Sequence, residues 1–592
     1  MRNPAWLAAR ILALGFALWI FACPALWAEQ GALATPVEVW DGYDPARLPL
    51  DVESLKSWTE DEASLEKLRF TSEVADGVAV RVFALRGAPT SGQRSLPGIL
   101  HIHGGGQTAS LDWVRFWCQR GYVAASYDFC GPWADRLEVT DWGKLAHCNM
   151  AQAHGGYQVD PTPRSSSWYH WTMAARRALS LLAEHPQVDR DRLGIFGISV
   201  GGTLCWMVAG SDQRVKAAAP IYGCGYNLDR RRQRFGFPEL TPAQALFQRA
   251  MSSEAHAPYI RCPILFLDAT NDFHGWMDAA YDTLGALSTT HRQAFTPRHN
   301  HHIALAEGAN LPAWMELHLK GKGALPESPR LSIRLGDDGI CRARVDSTGE
   351  PVQSAQVFYA LGDKPPPSRF WRKAETKNDT AELPVVDTWN DVRAFANVEY
   401  RSGWSFSTNL AHVVPAQLGL ARPSLTAGQG VEPRTAAESW YYATASTDPI
   451  SPKPFVHFGE DSEHPSARVN PALFGDTIHV NLASHLVGDP QFRRDAAQAL
   501  VLECAGSTDD AGLTISVTEY DWTPLAQTYS MHFPPEQIPG EWSSLKVARE
   551  QLKTAEGKPL ASWRYVDKLN LQCKSPRNSP FAVGAFHLTS ED

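Results

Sequence analysis

The sequence predicts an α/β protein: a mostly parallel sheet flanked by helices, followed by two all-β sandwich units. Three observations carry that expectation. Strand-like and helix-like periods alternate from about residue 68 to 320, which favours parallel strands joined by crossover helices. A serine stands between glycines where one apolar run hands over to another, at Gly197-Ile198-Ser199-Val200-Gly201-Gly202. Beyond Lys320-Gly321-Lys322-Gly323 the helical period fades, and short alternating runs punctuated by Pro and Gly take over.

The elements follow in order. Residues 29–90 open on a polar stretch, and the runs 68–72 and 78–84 then alternate as the first strands of the sheet. Residues 97–102 are an apolar strand that leads into His103-Gly104-Gly105-Gly106-Gln107, where consecutive glycines let backbone N–H groups approach a ligand oxygen unobstructed. The insertion 127–165 is long and polar, and loops of that kind in a compact domain are lids or binding loops. Its candidate pocket residues are Trp133, Asp135, Arg136, Asp141, Trp142 and His154, with a surface excursion over packed tryptophans as the plain alternative. Residues 167–184 carry Trp171, Ala174, Ala175, Ala178, Leu181 and Leu182 at helical spacing. Residues 192–196 are a short buried strand, and 203–209 start a helix.

A serine on such a strand-to-helix turn is a nucleophile elbow, with Oγ exposed and the next N–H, that of Val200, aimed at an oxyanion. Gly105 and Gly106 are the second candidate donors. The acid and the base should follow in chain order. Asp272 lies just past the apolar strand 262–268 and is the expected acid. Asp268 is the alternative, although its place on the strand suits a structural, hydrogen-bonded carboxylate. After the strand 292–297 comes Arg298-His299-Asn300-His301-His302. His301 is the expected base, and His302 and His299 remain open as alternatives. Trp133, His170 and His302 are the expected substrate-binding residues. A His-rich tract can bind metal, but no second cluster has ligand spacing, so neither metal nor cofactor is expected.

On HGGGQ at 103–107, GISVGG at 197–202, TND at 270–272, NHH at 300–302 and Ser167-Trp168-Tyr169-His170-Trp171, residues 97–320 resemble the α/β-hydrolase superfamily. The branch is that of acetyl-xylan esterases, dienelactone-hydrolase-like proteins and prolyl-oligopeptidase catalytic domains. The resemblance implies the α/β-hydrolase fold and a serine carboxylesterase that deacetylates polysaccharide or related small-molecule esters through Ser199, His301 and Asp272. A prolyl-oligopeptidase-type peptidase and a non-catalytic binding protein on the same scaffold are the alternatives. Serine at 199 argues against the cysteine chemistry of true dienelactone hydrolases. No arginine follows Ser199, unlike the glucuronoyl-esterase pattern. Too little chain precedes the first strands for a propeller, at ~40–45 residues per blade.

At 592 residues the chain exceeds one ordinary core, and 44 % hydrophobic with 20 % charged residues are globular values. A net charge of −9 and the lack of a basic stripe exclude nucleic acid and anionic membranes as partners. Residues 1–28 read as a signal peptide: a basic start, an apolar stretch 11–22, and Ala28 or Ala25 for cleavage. The chain is thus expected to be exported to the periplasm or beyond. An uncleaved N-terminal anchor is the alternative, and no membrane contact is expected beyond the leader. The expected units are a hydrolase at 29–325, a small immunoglobulin-like sandwich at 330–415 and a jelly-roll-like sandwich at 430–592.

In the sandwiches Trp371, Trp404, Trp440, Trp522, Trp542 and Trp563 are candidate platforms for carbohydrate rings, most of them expected to be core. Asp461, Glu463 and Asp476 fit no standard calcium loop. Apart from Cys23 in the leader, the cysteines show no CxxC framework. Cys118, Cys205 and Cys262 sit in apolar runs and should be buried, and a Cys130–Cys148 pairing is left open.

Overall fold

The strands β4 (Leu96–Ile102), β5 (Val123–Tyr127) and β8 (Ile264–Ala269) are buried along their whole length. Unbroken apolar runs of this kind belong to strands covered on both faces. The computed structural model describes residues 33–133, 136–152, 159, 161–225, 230–444, 453–459 and 464–590. The leader 1–28 and the candidates Asp135, His154, Asp461 and Glu463 lie outside these.

The remaining strands of the first sheet are β1 (Glu53–Glu60), β2 (Ala63–Ala75), β3 (Val78–Pro89), β6 (Val188–Ile198), β7 (Val215–Ile221) and β9 (His291–Thr296). Their order is β1-β2-β3-β5-β4-β6-β7-β8-β9. Pairing is antiparallel from β1 to β5 and parallel from there to β9. β1 gives no sequence signal because it is mostly exposed and polar.

Side chains alternate across the sheet, so neighbours enter different cores. Leu100, Ile195 and Phe266 join one core, together with the helices Ser167–Ala183 and Val200–Ser211. Ile99, Phe196 and Leu267 join the other, with Trp117 and Trp314. Ser166 caps the first of these helices by accepting the Tyr169 N–H at 3.2 Å. Among the described residues no helix is long and apolar enough to cross a membrane.

The second unit is a sandwich of antiparallel strands: β10 (Arg330–Leu335), β11 (Cys341–Asp346), β12 (Val352–Leu361), β13 (Arg372–Ala374), β14 (Thr376–Lys377), β15 (Thr380–Glu382), β16 (Val392–Tyr400), β17 (Ser405–Ser407) and β18 (Ala411–Val413). One sheet runs β10-β11-β15-β14. The other runs β13-β12-β16-β17, with β18 also on β16. Its apolar residues do not form a separate core: Leu331, Ala343, Val357 and Phe406 continue the one built on Trp314.

The third unit comprises β19 (Tyr441–Tyr442), β20 (Val456–Phe458), β21 (Ala467–Val469), β22 (Thr477–Ser484), β23 (Ala499–Ala505), β24 (Leu513–Glu519), β25 (Gln527–Phe533), β26 (Ser543–Ala548), β27 (Val566–Pro576) and β28 (Ala582–Thr589). Two antiparallel sheets, β19-β22-β27-β24-β25 and β20-β21-β28-β23-β26, enclose their own core around Trp440, Val517, Trp563 and Phe586. Trp371, Trp404, Trp440 and Trp563 are buried, whereas Trp522 and Trp542 are half-buried. All nine described cysteines, Cys130 and Cys148 included, are free thiols.

The first two units are joined by a polar knot as well as by apolar contact. Asn397 Nδ2 donates to Phe295 O at 3.0 Å and to Glu307 Oε1 at 3.1 Å, and Thr296 Oγ1 donates to Glu307 Oε2 at 3.2 Å. Burial pushes the Glu307 carboxyl up from 4.5 to about 7. The folded chain therefore holds this proton to a higher pH than the unfolded chain does. Stability is complete below about pH 4.5 and declines as pH rises towards 7. Glu307→Gln should remove that slope. Denaturant melts at pH 5 and pH 8 should show the wild type losing roughly 2–3 kcal/mol more than the variant. Equal losses would refute a buried, protonated Glu307.

Candidate active site

Glycines dictate the local path at Ser199. A Cβ on Gly197 would lie 2.0 Å from Gly201 O, and one on Gly201 would lie 2.1 Å from Ile102 O. β6 and the helix Val200–Ser211 can meet this closely only without side chains. Ser199 itself takes φ 60° and ψ −118°. A non-glycine residue held there stores on the order of 1–3 kcal/mol of strain. The turn is fixed by the Ser199 N–H, which donates to Ile221 O at 3.0 Å.

The residue after Ile221 carries the site onward. Tyr222 stacks on His301 with ring centroids 3.9 Å apart, so strand β7 links the serine turn to the histidine loop. His301 Nδ1 meets Asp272 Oδ2 at 2.5 Å, and both side chains are buried. Asp272 Oδ1 accepts the N–H groups of His274 and Gly275, the latter at 3.1 Å. With its Nδ1 proton engaged, the His301 ring carries its lone pair on Nε2, which is buried with no hydrogen-bond partner. Such an atom can take a proton from a hydroxyl brought against it.

Asp268 is a different kind of carboxyl. Burial, reinforced by the neighbouring Asp272 charge, holds it well above the usual carboxylate range, and its Oδ1 accepts the Ala269 N–H at 2.7 Å. It is Asp272, not Asp268, that faces the histidine. The other two histidines of the loop point elsewhere. His299 Nδ1 donates to Pro297 O at 2.8 Å. His302 packs between His299 and Phe455, at 5.6 and 4.8 Å, and burial lowers its pKa to about 3.

The glycine loop is more particular than its sequence suggests. Gly104 N–H donates to Gln107 Oε1 at 2.9 Å, and the backbone N–H groups of Gly106 and Gln107 both counter the upward push of burial on the Cys130 thiol. Gly105 is exposed and lies against Val200, since a Cβ on it would be 3.0 Å from Val200 Cγ2. Of the two glycines expected as donors, Gly105 is therefore the one whose amide is not given to Cys130. Trp133 covers Gly106, with Cζ2 3.7 Å from where a Cβ would stand, and Arg136 donates to the carbonyls of Gly106 and Gln107. Trp142 is buried and donates to Phe129 O at 3.1 Å. Asp141 exchanges backbone hydrogen bonds with Arg81.

His170 sits in another cluster. Its Nδ1 donates to Glu73 at 2.9 Å, and one donor atom each from His147, Cys148 and His170 lie within 4.8 Å of one another. Among the described residues this is the group that could hold a metal ion.

The loops that carry Asp272 and His301 are both braced by the β units, which no local sequence signal announces. Asn271 Nδ2 donates to Pro367 O at 2.9 Å and Arg369 O at 2.7 Å. Arg298 donates to Glu438 O at 2.9 Å, and Asn300 Nδ2 to Ala443 O at 3.0 Å.

Two family models match the part of the chain that carries this site. The acetyl xylan esterase (AXE1) family matches residues 60–232, and the dienelactone hydrolase family matches residues 169–301. Similar solved structures include an acetyl xylan esterase from Paenibacillus sp. R4, at 17 % identity over 46 % of this chain and 91 % of that one, with TM-score 0.37. Another is acetyl xylan esterase 1 from Thermoanaerobacterium sp. JW/SL YS485, at 15 % identity over 45 % and 88 %, with TM-score 0.37. A third is a putative dienelactone hydrolase from Klebsiella pneumoniae subsp. pneumoniae MGH 78578, at 16 % over 43 % and 98 %, with TM-score 0.30. No curated protein matches the chain.

The first unit has the α/β-hydrolase fold. Residues 60–301 are similar, in two overlapping stretches, to the acetyl xylan esterase and dienelactone hydrolase families, both of them families of hydrolases.

Proposed function

We propose that this protein is an exported serine carboxylesterase that removes acyl groups, acetyl foremost, from polysaccharide or related esters. The observation that carries the reading is the 2.5 Å contact between His301 Nδ1 and Asp272 Oδ2, linked through Tyr222 and Ile221 to a strained Ser199. His301 Nε2 takes the Ser199 hydroxyl proton as Oγ attacks the ester carbonyl. Asp272 keeps the Nδ1–H tautomer and stabilises the imidazolium that forms. The amides of Val200 and Gly105 receive the developing oxyanion, and a donor of this sort is worth about 10²–10³ in rate. His301 then gives its proton to the departing alcohol. Water, activated by the same imidazole, releases the acid from the acyl-enzyme.

Export rests on the leader-like residues 1–28, with retention by an uncleaved anchor as the alternative. The test is acetate release from an aryl acetate and from acetylated xylan, with fluorophosphonate labelling of the folded protein. Both substrates should release acetate, Ser199→Ala should abolish release from each, and the label should map to Ser199. No release together with no label would overturn the proposal.

A further inference from the structure

The turn between β24 and β25 departs from ordinary backbone. Tyr520 and Trp522 both have positive φ, 51° and 59°. Large side chains rarely adopt that region, and such strain persists only where the surroundings over-determine it. Here they do. Asp521 between them is buried, and Lys568 Nζ donates to its Oδ1 at 2.9 Å. Ser368 Oγ, from the second unit and itself fully buried, donates to Asp521 O at 2.9 Å. The Thr523 hydroxyl donates to Tyr520 O at 2.8 Å.

What the pinned turn achieves is the placement of one ring. Trp522 lies parallel to Phe273, with a 16° interplanar angle and centroids 6.4 Å apart. Phe273 in turn lies 4.9 Å from the His301 ring. Trp522 is half-buried. Beside it Tyr520 stacks on Tyr565 at 4.9 Å, and Tyr565 is 43 % exposed. An aromatic rim thus leads from the base of the hydrolase unit onto the third unit.

We propose that the third sandwich supplies the alcohol side of the Ser199 site, with Trp522 as the platform on which a sugar ring of an acylated oligosaccharide stacks. This rests on the esterase reading given above and names its substrate class. Phe273 lies between the His301 ring and Trp522, so the indole stands one aromatic ring away from the proposed base. A flat, uncharged indole suits the apolar C–H face of a pyranose better than it suits a charged or extended-chain alcohol. Tyr520 and Tyr565 extend the same surface for the next sugar.

The experiment compares the full-length wild type with Trp522→Ala and Trp522→Phe, using 4-nitrophenyl acetate and acetylated xylo-oligosaccharides. The ratio of kcat/KM for the oligosaccharide to that for the aryl ester should fall at least tenfold in Trp522→Ala, mainly through KM. It should stay within about threefold of wild type in Trp522→Phe, whose ring can still stack. Calorimetric binding of the oligosaccharide to Ser199→Ala should be lost when Trp522→Ala is added. A ratio unchanged in Trp522→Ala, or binding that survives it, would overturn the platform. So would aryl-ester hydrolysis by the wild type with no oligosaccharide binding at all, and that result leaves the esterase reading intact. Failure to hydrolyse either ester would sink the esterase reading, and the binding measurement would still judge Trp522.

Discussion

His301→Ala should lower kcat/KM for an aryl acetate about 10⁴-fold or more, whereas His299→Ala and His302→Ala should each lose less than about tenfold. The three rings lie within four residues but in different surroundings. Only His301 has a carboxylate on Nδ1 and an unpartnered Nε2. His299 gives a proton to its own loop, and His302 fills a contact with Phe455 of the third unit. Losing either should loosen the loop without removing the base. Asp272→Asn should mimic the His301 loss, because the amide cannot hold the same tautomer. Steady-state kinetics on variants whose circular dichroism matches the wild type checks this. A His302→Ala loss as deep as that of His301→Ala would sink the assignment.

Arg372→Met should be strongly destabilising although it lies outside the first unit. Arg372 on β13 grips Asp489 of the third unit through two bonds, Nε to Oδ2 at 2.9 Å and Nη2 to Oδ1 at 2.6 Å. Both side chains are buried. Removing the guanidinium strands a carboxylate away from water, which costs about 3–5 kcal/mol. Arg372→Met with Asp489→Leu should recover much of the loss, since replacing both charges by apolar groups is often neutral. Denaturant unfolding of the two variants distinguishes the cases. A single variant as stable as wild type would show that the pair contributes little.

The parts of this protein that sequence could supply are those encoded within a few residues. The serine turn is written in glycines that cannot be larger, and the apolar strands on either side give its setting. The helix 167–184 is found at Ser167–Ala183 because its apolar spacing and its serine cap are both local. Asp272 and His301 were reachable as residues just past apolar strands, but choosing between His301 and His302 needs the direction of each side chain. That direction is set by Tyr222, Phe273 and Phe455, which come from three distant segments. The Gly106 amide, the Glu73–His170 contact and the bracing of Asn271, Arg298 and Asn300 are likewise long-range. β1 was illegible for another reason: an exposed polar edge strand carries no alternation.

The bracing of the histidine loop by Glu438 and Ala443 also has an order in time, because these residues are made well after the loop itself. A ribosome delivers Ser199, Asp272 and His301 well before residues 438–443, by on the order of ten seconds at ordinary elongation rates. During that interval the nascent first unit carries the proposed triad but lacks the carbonyls that hold Arg298 and Asn300. Its face around Trp314 is bare until residues 331–406 emerge to cover it. Chains cut short between these points would keep Ser199, Asp272 and His301 and lack the carbonyls that brace Arg298 and Asn300.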